Sequence, residues 1–491
     1  MSWKRLVFRK SVDQMVLETK ENVFNRPLNF LHLNTLGLGA IIGAGIFVLS
    51  GEAAANVAGP SIIVSYCIAA VVAALAALSY CEMASMVPIS GSSYSYVYTT
   101  MGEFAGWLVG WDLCLEYMMG VSVVAVGWSG YVASFIRLLF STGIEHRILD
   151  APLNWNDTTQ SFYWNGSYFN LPAILIIIAL TALLVYDIDV SATFNSIIVL
   201  LKIVIMLIFI TACIKFINPK NYRPFIPKNL GGNKYGVIGM FHASTIVFFS
   251  FIGFDAITTA AQETKKESQN TLAISIMTSL MVSTVLYLGF ISVLVGVVSY
   301  ESLNVHNPIS TVTRAMNMKW LEITVDVGAI LGLTSVTLVN LFAQPRILYV
   351  MSKDGLLPKF FSKLRSTKQK KAKNLPTASD QTRVDVDESI SNPPAVIRAT
   401  STKPQNAQPQ TLGSPYAATI VTGVICALVA GFVPINFLAE ITSVEGIIDT
   451  CNGLHELAVT TLKGQETHTG ETTAQPPRIV MDLTIVHATI R

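Results

Sequence analysis

Residues 35–53, TLGLGAIIGAGIFVLSGEA, constrain the fold of this chain more than any other stretch. The stretch is apolar enough to enter a bilayer, yet Gly37, Gly39, Gly43 and Gly45 fall within it. Each glycine costs a helix roughly 1 kcal/mol relative to alanine, so a continuous helix is disfavoured. Two interpretations are open. The glycines permit close helix packing, or they mark a half-helix start whose bare amides bind a carboxylate.

The composition is typical of a membrane protein. Of the 491 residues, 52% are hydrophobic and 13% are charged, against about 25% charged residues in soluble domains. The net charge of +2 gives no reason to expect a nucleic-acid partner. The six cysteines form neither a CxxC motif nor a Cys/His cluster, so no disulfide framework, metal site or cofactor is expected. No nucleophile–base arrangement is evident either, which argues against an enzyme.

Hydropathy in a window of about 19 residues predicts nine membrane-spanning helices. The third span is long and contains glycines, so we expect it to tilt or bend. The chain is therefore predicted to be an all-α polytopic membrane protein. The nine spans lie near residues 34–54, 61–82, 104–140, 171–188, 193–217, 237–261, 272–299, 322–350 and 415–435.

The loops predict the orientation of these spans. The N-terminal tail, residues 1–30, carries six basic residues and is predicted to be cytoplasmic. Counting spans from there places the loop 141–170 outside. That loop holds the two glycosylation sequons of the chain, at Asn156 and Asn165, and both are expected to be glycosylated. The basic loop 218–236 disagrees with this orientation, because it is also predicted to lie outside.

The membrane-spanning part of the chain is predicted to divide around a long cytoplasmic insert. Residues 31–350 hold the first eight spans. Residues 351–414 follow on the cytoplasmic side, and their Lys-, Ser-, Thr-, Pro- and Gln-rich part from residue 366 is predicted to be disordered.

Ionisable residues within predicted spans are candidate functional residues, because each costs roughly 2.5–3.5 kcal/mol at the bilayer centre. Asp112 and Glu116 are four residues apart and share one helix face. Lys202 lies deep within the fifth span, so a functional or pairing role is favoured over snorkelling. Asp255 lies in the sixth span, and Asp326 lies near an end of the eighth, where an interfacial position is expected.

The sixth span contains a second irregularity, VFFSFIGFDAITTAAQE. Gly253 stands beside Asp255, between Phe249, Phe251 and Phe254. Taken alone, this pattern fits an ordinary aromatic-packed helix with one glycine. Interrupted helices in both the first and the sixth spans instead indicate an inverted five-plus-five repeat with a substrate site at its midplane.

Seven motifs follow one another along the chain, namely GAIIGAGIFVLSG, AGPSIIVSY, PISGSSYSYVYTTMGE, GWDLCLEY, VAVGWSGY, SFIGFDAITTAAQETK and QPRILYVMSKDGLLP. Their order and spacing resemble those of the amino acid–polyamine–organocation transporters, and most nearly those of the cationic amino acid transporters. The resemblance covers about residues 28–445 apart from the insert. It implies a LeuT-like fold in which helices 1 and 6 are broken, and it is more specific for the family than for the substrate.

The resemblance also implies how an amino acid would bind. The α-carboxylate would rest on the backbone amides of Gly43, Ala44 and Gly45. Carbonyls of both broken helices would hold the α-ammonium. This division is physically reasonable, because a half-helix start favours an anion and orphan carbonyls favour a cation. The carbonyls implied are those of Ile41, Phe249 and Ile252.

Side-chain roles follow from the same resemblance. Phe249 or Phe254 would cover the site. Glu116 matches an acidic third-span residue of the cationic branch. Asn340 would line the side-chain pocket, where a polar residue suits a long polar or cationic side chain. Lys202 matches a lysine that some relatives place near a coupling sodium, so it would act as a fixed cation or as a proton carrier.

The chain departs from the resemblance after the ninth span. Relatives have at least ten core spans, whereas here residues 415–448 contain the ninth span and the start of a degenerate tenth. Residues 449–491 form a polar tail. A truncated or frame-shifted gene is therefore expected, with the tenth core helix missing.

Three functional hypotheses follow. The first is a secondary transporter of cationic amino acids, arginine or lysine, which works by alternating access in the plasma membrane or, less favoured, in a vacuolar or lysosomal membrane. The second is an amino acid-sensing membrane receptor that signals through the cytoplasmic insert. The third is an inactive truncation product. The first two share an amino acid ligand and the lipid bilayer as partners, and oligomeric state is left open.

Overall fold

The fold is described from a computed structural model of the chain. The structure describes residues 28–364 and 415–434 together with Leu438, apart from gaps at 44, 87–88, 141–145, 150, 157–160, 187, 266–270 and 305–307. The predicted cytoplasmic tail before residue 28, most of the insert, the degenerate tenth span and the polar tail lie outside these residues, as does Ala44.

The described part of the chain is almost entirely helical. A short antiparallel hairpin pairs β1 (Leu153–Asn156) with β2 (Ser161–Trp164). The α-helices are α1 (Phe30–Ile41), α2 (Ser50–Ala53), α3 (Ile62–Met86), α4 (Ser93–Thr100), α5 (Glu103–Phe140), α6 (Leu171–Tyr186), α7 (Ile188–Cys213), α8 (Gly236–Phe248), α9 (Ala256–Thr259), α10 (Thr271–Val297), α11 (Pro308–Ala315), α12 (Lys319–Lys353) and α13 (Tyr416–Phe432).

Within the described residues, six helical stretches are long and apolar enough to cross a membrane by length and composition. Three shorter apolar helices, α1, α6 and α13, accompany them. Large apolar side chains such as Leu75, Ile178 and Met281 are exposed on the outer faces of α3, α6 and α10, as expected where lipid replaces water. The protein is therefore a mostly helical, polytopic membrane protein. The six stretches are Ser50–Met86, Glu103–Ile136, Val190–Phe216, Gly236–Thr259, Leu272–Val297 and Lys319–Lys353.

The third predicted span is one unbroken helix despite its glycines. Helix α5 runs for 38 residues, which is about 57 Å at the usual rise per residue. That length exceeds the roughly 30 Å hydrocarbon core of a bilayer. Helix α5 must therefore tilt or project beyond the membrane, and it packs along much of its length against α12.

Two other helices are interrupted where the glycines predicted it. Helix α1 ends at Ile41, and the chain becomes helical again at Gly45 in a π-helical turn, Gly45–Leu49, that leads into α2. Helix α8 passes into a 3₁₀ turn, Phe249–Phe251, and then into a non-helical turn before α9. Gly253 has a φ of +112°, a conformation that side chains disfavour.

Asp326 is buried within the protein, and its expected position at the membrane interface stays a prediction. Its Oδ1 atom accepts a hydrogen bond from Ser310 Oγ at 3.1 Å. Ser310 belongs to α11, the short helix that packs against α12. The carboxylate is therefore held within the protein, where it ties α11 to α12.

The two sequons lie at the hairpin between α5 and α6. Asn156 ends β1, and its backbone pairs with Ser161 of β2. Asn165 follows β2 and is exposed, and its Oδ1 atom accepts a hydrogen bond from Ser167 N at 2.8 Å. Glycosylation of both residues, and the external position of this loop, stay predictions.

Candidate functional site

The two helix interruptions border one cavity inside the helix bundle. Helices α5 and α12 complete its walls. The cavity encloses about 460 Å³ of atom-free space, part of it open to solvent. The site residues expected from the sequence that line it are Ile41, Gly43, Gly45, Glu116, Phe249, Ile252 and Asn340.

Six further residues line the cavity and were missed by sequence reasoning. Three of them, Tyr117, Gly120 and Val124, follow Glu116 on α5. Gly120 and Val124 lie four and eight residues after Glu116 on the same helix face, so the helical period could have found them, whereas Tyr117, the next residue, lies about 100° around the helix. The other three are Ala40, Gly253 and Val336.

The glycines at the interruptions let two backbones come together. A Cβ atom on Gly45 would lie 2.5 Å from Ser250 Cα, and one on Gly253 would lie 2.8 Å from Ala40 Cβ. Atoms this close overlap, so a larger residue needs a backbone shift at either position. The packing interpretation of Gly45 is therefore supported, and the same glycine borders the cavity.

Tyr287 of α10 joins the two interruptions. Its hydroxyl lies 2.8 Å from Ile41 O and 2.9 Å from Ser250 O, so both carbonyls can accept its proton. The Oη atom of Tyr66 lies 3.2 Å from Ser250 Oγ on the same side. The Ile41 carbonyl, expected to hold an α-ammonium, thus already has one partner. A carbonyl oxygen has two lone pairs, so it can accept a second donor.

Lys202 binds the end of α1 instead of lining the cavity. The side chain is 0% exposed. Its Nζ atom donates to Gly39 O at 3.1 Å, to Ile42 O at 2.9 Å and to Ser335 Oγ at 2.7 Å. These three acceptors match the three N–H groups of an ammonium. The last carbonyls of a helix carry partial negative charge, so a cation at this position is favourable.

The buried acids near the cavity have different surroundings. Asp255 Oδ2 accepts a hydrogen bond from the hydroxyl of Tyr117. Glu116 is 4% exposed and lines the cavity itself. Of these two carboxylates, Glu116 is therefore the one placed to meet a bound molecule.

Residues 28–448 match the amino acid permease family. The chain belongs to this family. Its membership of the amino acid–polyamine–organocation superfamily, predicted from the motifs, is confirmed. Because the family consists of permeases, the expectation that the protein is not an enzyme is also confirmed.

Relatives of this permease have different named substrates. It is 42% identical over 364 residues to the branched-chain amino acid permease BcaP of Bacillus subtilis (strain 168), covering 74% of this chain and 75% of that protein. It is 39% identical to the methylthioribose transporter of the same organism, covering 72% and 73% of the two chains. It is 35% identical to the vacuolar cationic amino acid transporter 4 of Arabidopsis thaliana, covering 73% of this chain and 58% of that protein.

Phe254, one of the two phenylalanines expected to cover the site, does not line the cavity of the permease. Its ring packs edge-to-face on Tyr80, with ring centroids 5.4 Å apart. Phe249 is the residue of the two that borders the cavity.

A Gly45→Ala variant of the permease is expected to lose stability and amino acid affinity together. The added methyl group would meet the backbone of Ser250, and overpacking of this kind costs about 1–3 kcal/mol. The interruptions would separate and the cavity would change shape. Thermal unfolding of the purified protein, with and without an amino acid, measures both effects.

Gly130→Ala is the matched control, because a Cβ atom there meets nothing within 4 Å. If Gly45→Ala has the same unfolding temperature and the same amino acid affinity as Gly130→Ala, the close approach to Ser250 has no functional consequence.

Proposed function

We propose that this permease is a secondary amino acid transporter that works by alternating access. The cavity between the two helix interruptions carries the proposal, because backbone groups freed from helical bonding can bind both charged ends of an amino acid. We extend the proposal to a LeuT-like five-plus-five inverted repeat. Its support is that the interruptions fall in the first and sixth predicted spans, the positions expected for a midplane site.

The α-carboxylate is proposed to rest on the amides that follow α1. The helical segment that begins at Gly45 continues through α2 to Ala58. The first amides of a helix have no intrahelical acceptor and carry partial positive charge. Gly43 and Gly45 border the cavity at this end, and Ala44 is included from the sequence alone.

The α-ammonium is proposed to bind the carbonyls of Ile41, Phe249 and Ile252, three residues that line the same cavity. Phe249 O already accepts a hydrogen bond from Ile252 N at 3.3 Å, as Ile41 O does from Tyr287. The second lone pair of each carbonyl remains available to an ammonium donor.

The substrate side chain is proposed to extend between α5 and α12, and the proposed class is cationic. The support is Glu116, a carboxylate in the cavity wall that is 4% exposed, since hydrogen bonds from a cationic side chain to a carboxylate are stronger than those between neutral groups. A lysine or arginine side chain would donate such bonds. The Asn340 amide on α12 would add a polar contact.

A second candidate is a neutral branched-chain amino acid. The apolar side chains of Val124 and Val336 favour it, as does the 42% identity to a relative named as a branched-chain permease.

Lys202 is proposed to act as a fixed cation in place of a coupling sodium ion, with proton transfer as the alternative. We propose the plasma membrane as the location, with a vacuolar membrane as the alternative. A receptor that binds an amino acid and signals through the insert is the competing function.

Uptake into proteoliposomes tests the proposal. Purified permease should accumulate radiolabelled arginine or lysine and exchange it in counterflow, with protein-free liposomes as the control. Leucine, isoleucine and methylthioribose complete the panel, because relatives carry those substrate names. Leucine uptake without arginine uptake would select the branched-chain alternative. Binding of an amino acid with no accumulation would contradict transport and favour the receptor.

A Glu116→Gln variant separates the two substrate classes. Hydrogen bonds to charged groups contribute about 1.5–3 kcal/mol, so arginine uptake should fall by roughly 10- to 150-fold while leucine uptake is spared. Equal loss for both substrates would contradict a contact between Glu116 and the substrate side chain.

A further inference from the structure

One glycine of α5 stands in the cavity wall directly opposite a polar side chain. A Cβ atom built on Gly120 would lie 3.0 Å from Asn340 Nδ2, and no other neighbour falls within 4 Å of it. Gly120 and Asn340 both line the cavity. The missing side chain at position 120 therefore provides the space that the Asn340 amide occupies.

The other glycines of α5 have different surroundings. Gly106 packs against Tyr98, and Gly110 packs against Met351 and Tyr94. A Cβ atom on Gly127 would meet only Leu333 Cδ1, at 4.0 Å, and Gly130 is exposed and faces open space. Close packing of helices explains the first two, whereas Gly120 is placed where its size changes the cavity.

Two side-chain hydrogen bonds hold α5 and α12 together on either side of this point. Gln344 Nε2 donates to Cys114 O at 2.9 Å, and Trp128 Nε1 donates to Thr334 Oγ1 at 3.0 Å. Because both bonds join the same antiparallel pair of helices, the two helices cannot easily separate between them. A larger residue at position 120 must therefore be accommodated by the Asn340 side chain.

We propose that Gly120 determines how long a substrate side chain the permease accepts. This inference rests on the proposed function, in which the substrate side chain lies between α5 and α12. An alanine at position 120 would push the Asn340 amide into the cavity, because that amide is the flexible end of its side chain. Short amino acids such as alanine would still fit, whereas leucine, lysine and arginine would meet the displaced amide.

Gly120→Ala is the first test, with Gly130→Ala as its matched control on the same helix. Both changes remove a helix-destabilising glycine, so both proteins should fold. One methylene in a substrate pocket changes selectivity by about 10- to 200-fold. The ratio of long-chain to alanine uptake, as kcat/KM in proteoliposomes, should therefore fall at least about tenfold in Gly120→Ala and stay unchanged in Gly130→Ala.

A second test repeats the substitution in the Asn340→Ala background. It remains informative if Gly120→Ala alone folds poorly. With the amide removed, the methyl group at position 120 meets nothing, so Gly120→Ala/Asn340→Ala should match Asn340→Ala within about twofold in the same ratio. A selectivity ratio in Gly120→Ala equal to that of Gly130→Ala would overturn the inference. A tenfold fall that persists in the Asn340→Ala background would overturn the role of the amide. Failure of the wild-type protein to transport any amino acid would instead overturn the proposed function.

Discussion

A Lys202→Met variant is expected to insert and fold but to bind amino acids poorly at every pH. Methionine keeps the length and apolar bulk of the lysine stem and removes the ammonium that binds Gly39 O, Ile42 O and Ser335 Oγ. A buried acceptor left without a donor costs about 1–3 kcal/mol. The end of α1 should shift to satisfy these carbonyls, and it would carry the cavity wall at Ala40 and Ile41 with it.

The two proposed roles of Lys202 predict different transport phenotypes. A fixed cation supports binding itself, so counterflow exchange and gradient-driven uptake should both fall. A proton carrier supports only coupling, so counterflow should survive while uptake driven by a pH gradient is lost. The three acceptors around the Lys202 Nζ atom fit the protonated amine, the form from which both roles start.

Lys215→Met is the matched control for this experiment, because Lys215 is exposed just beyond the same helix. It should leave binding, counterflow and gradient-driven uptake unchanged. Wild-type uptake with wild-type pH dependence in Lys202→Met would contradict both roles. Lys202 would then be a structural residue.

The sequence predicted the helix interruptions because glycine carries its own conformational signal. Gly43, Gly45 and Gly253 mark the three places where the chain leaves or re-enters a helix. The side chains that hydrogen-bond to the backbone groups at these interruptions could not be predicted in the same way. Tyr287 looks like any aromatic residue in an apolar span, and its contact with Ile41 depends on how α10 packs against α1.

For the charged residues, too, the sequence indicated which ones matter but not which partners they have. The cost of a charge in a membrane indicated that Lys202 and Glu116 matter, and this needs no structure. The acceptors of Lys202 lie on α1 and α12, so they depended on where α1 ends. Asp255 and Glu116 were equivalent in the sequence. They differ in the protein because Tyr117 turns towards one carboxylate and the cavity borders the other.

The resemblance could not decide which phenylalanine of the sixth span borders the cavity. Phe249 and Phe254 are five residues apart, which places them about 140° apart on a regular helix. In the protein the helix is interrupted between them, and Phe254 contacts Tyr80 while Phe249 borders the cavity.

An Arg346→Met variant is expected to lose about 3–5 kcal/mol of stability, the cost of breaking a buried ion pair by removing one partner. The side chains of Arg346 and Glu263 are 4% and 1% exposed, and Arg346 Nη2 lies 2.6 Å from Glu263 Oε1. Arg346 also donates to Phe342 O. The pair joins α12 to the segment after α9, and the backbone of that segment binds Leu28. Methionine would leave the Glu263 carboxylate buried without its cation.

Two comparisons separate the lost charge from lost packing in this variant. Arg314 and Glu322 form an ion pair at 2.7 Å whose arginine side chain is 68% exposed, so Arg314→Met should cost at most about 1 kcal/mol. An Arg346→Met/Glu263→Met double variant should regain most of the loss, because it leaves no charge unpaired. Thermal unfolding of the four proteins in detergent measures the series. If Arg346→Met is no less stable than Arg314→Met, the buried pair does not stabilise the fold. If the double variant is as unstable as Arg346→Met, the loss comes from the other contacts of Arg346, such as its hydrogen bond to Phe342 O, and not from the Glu263 carboxylate.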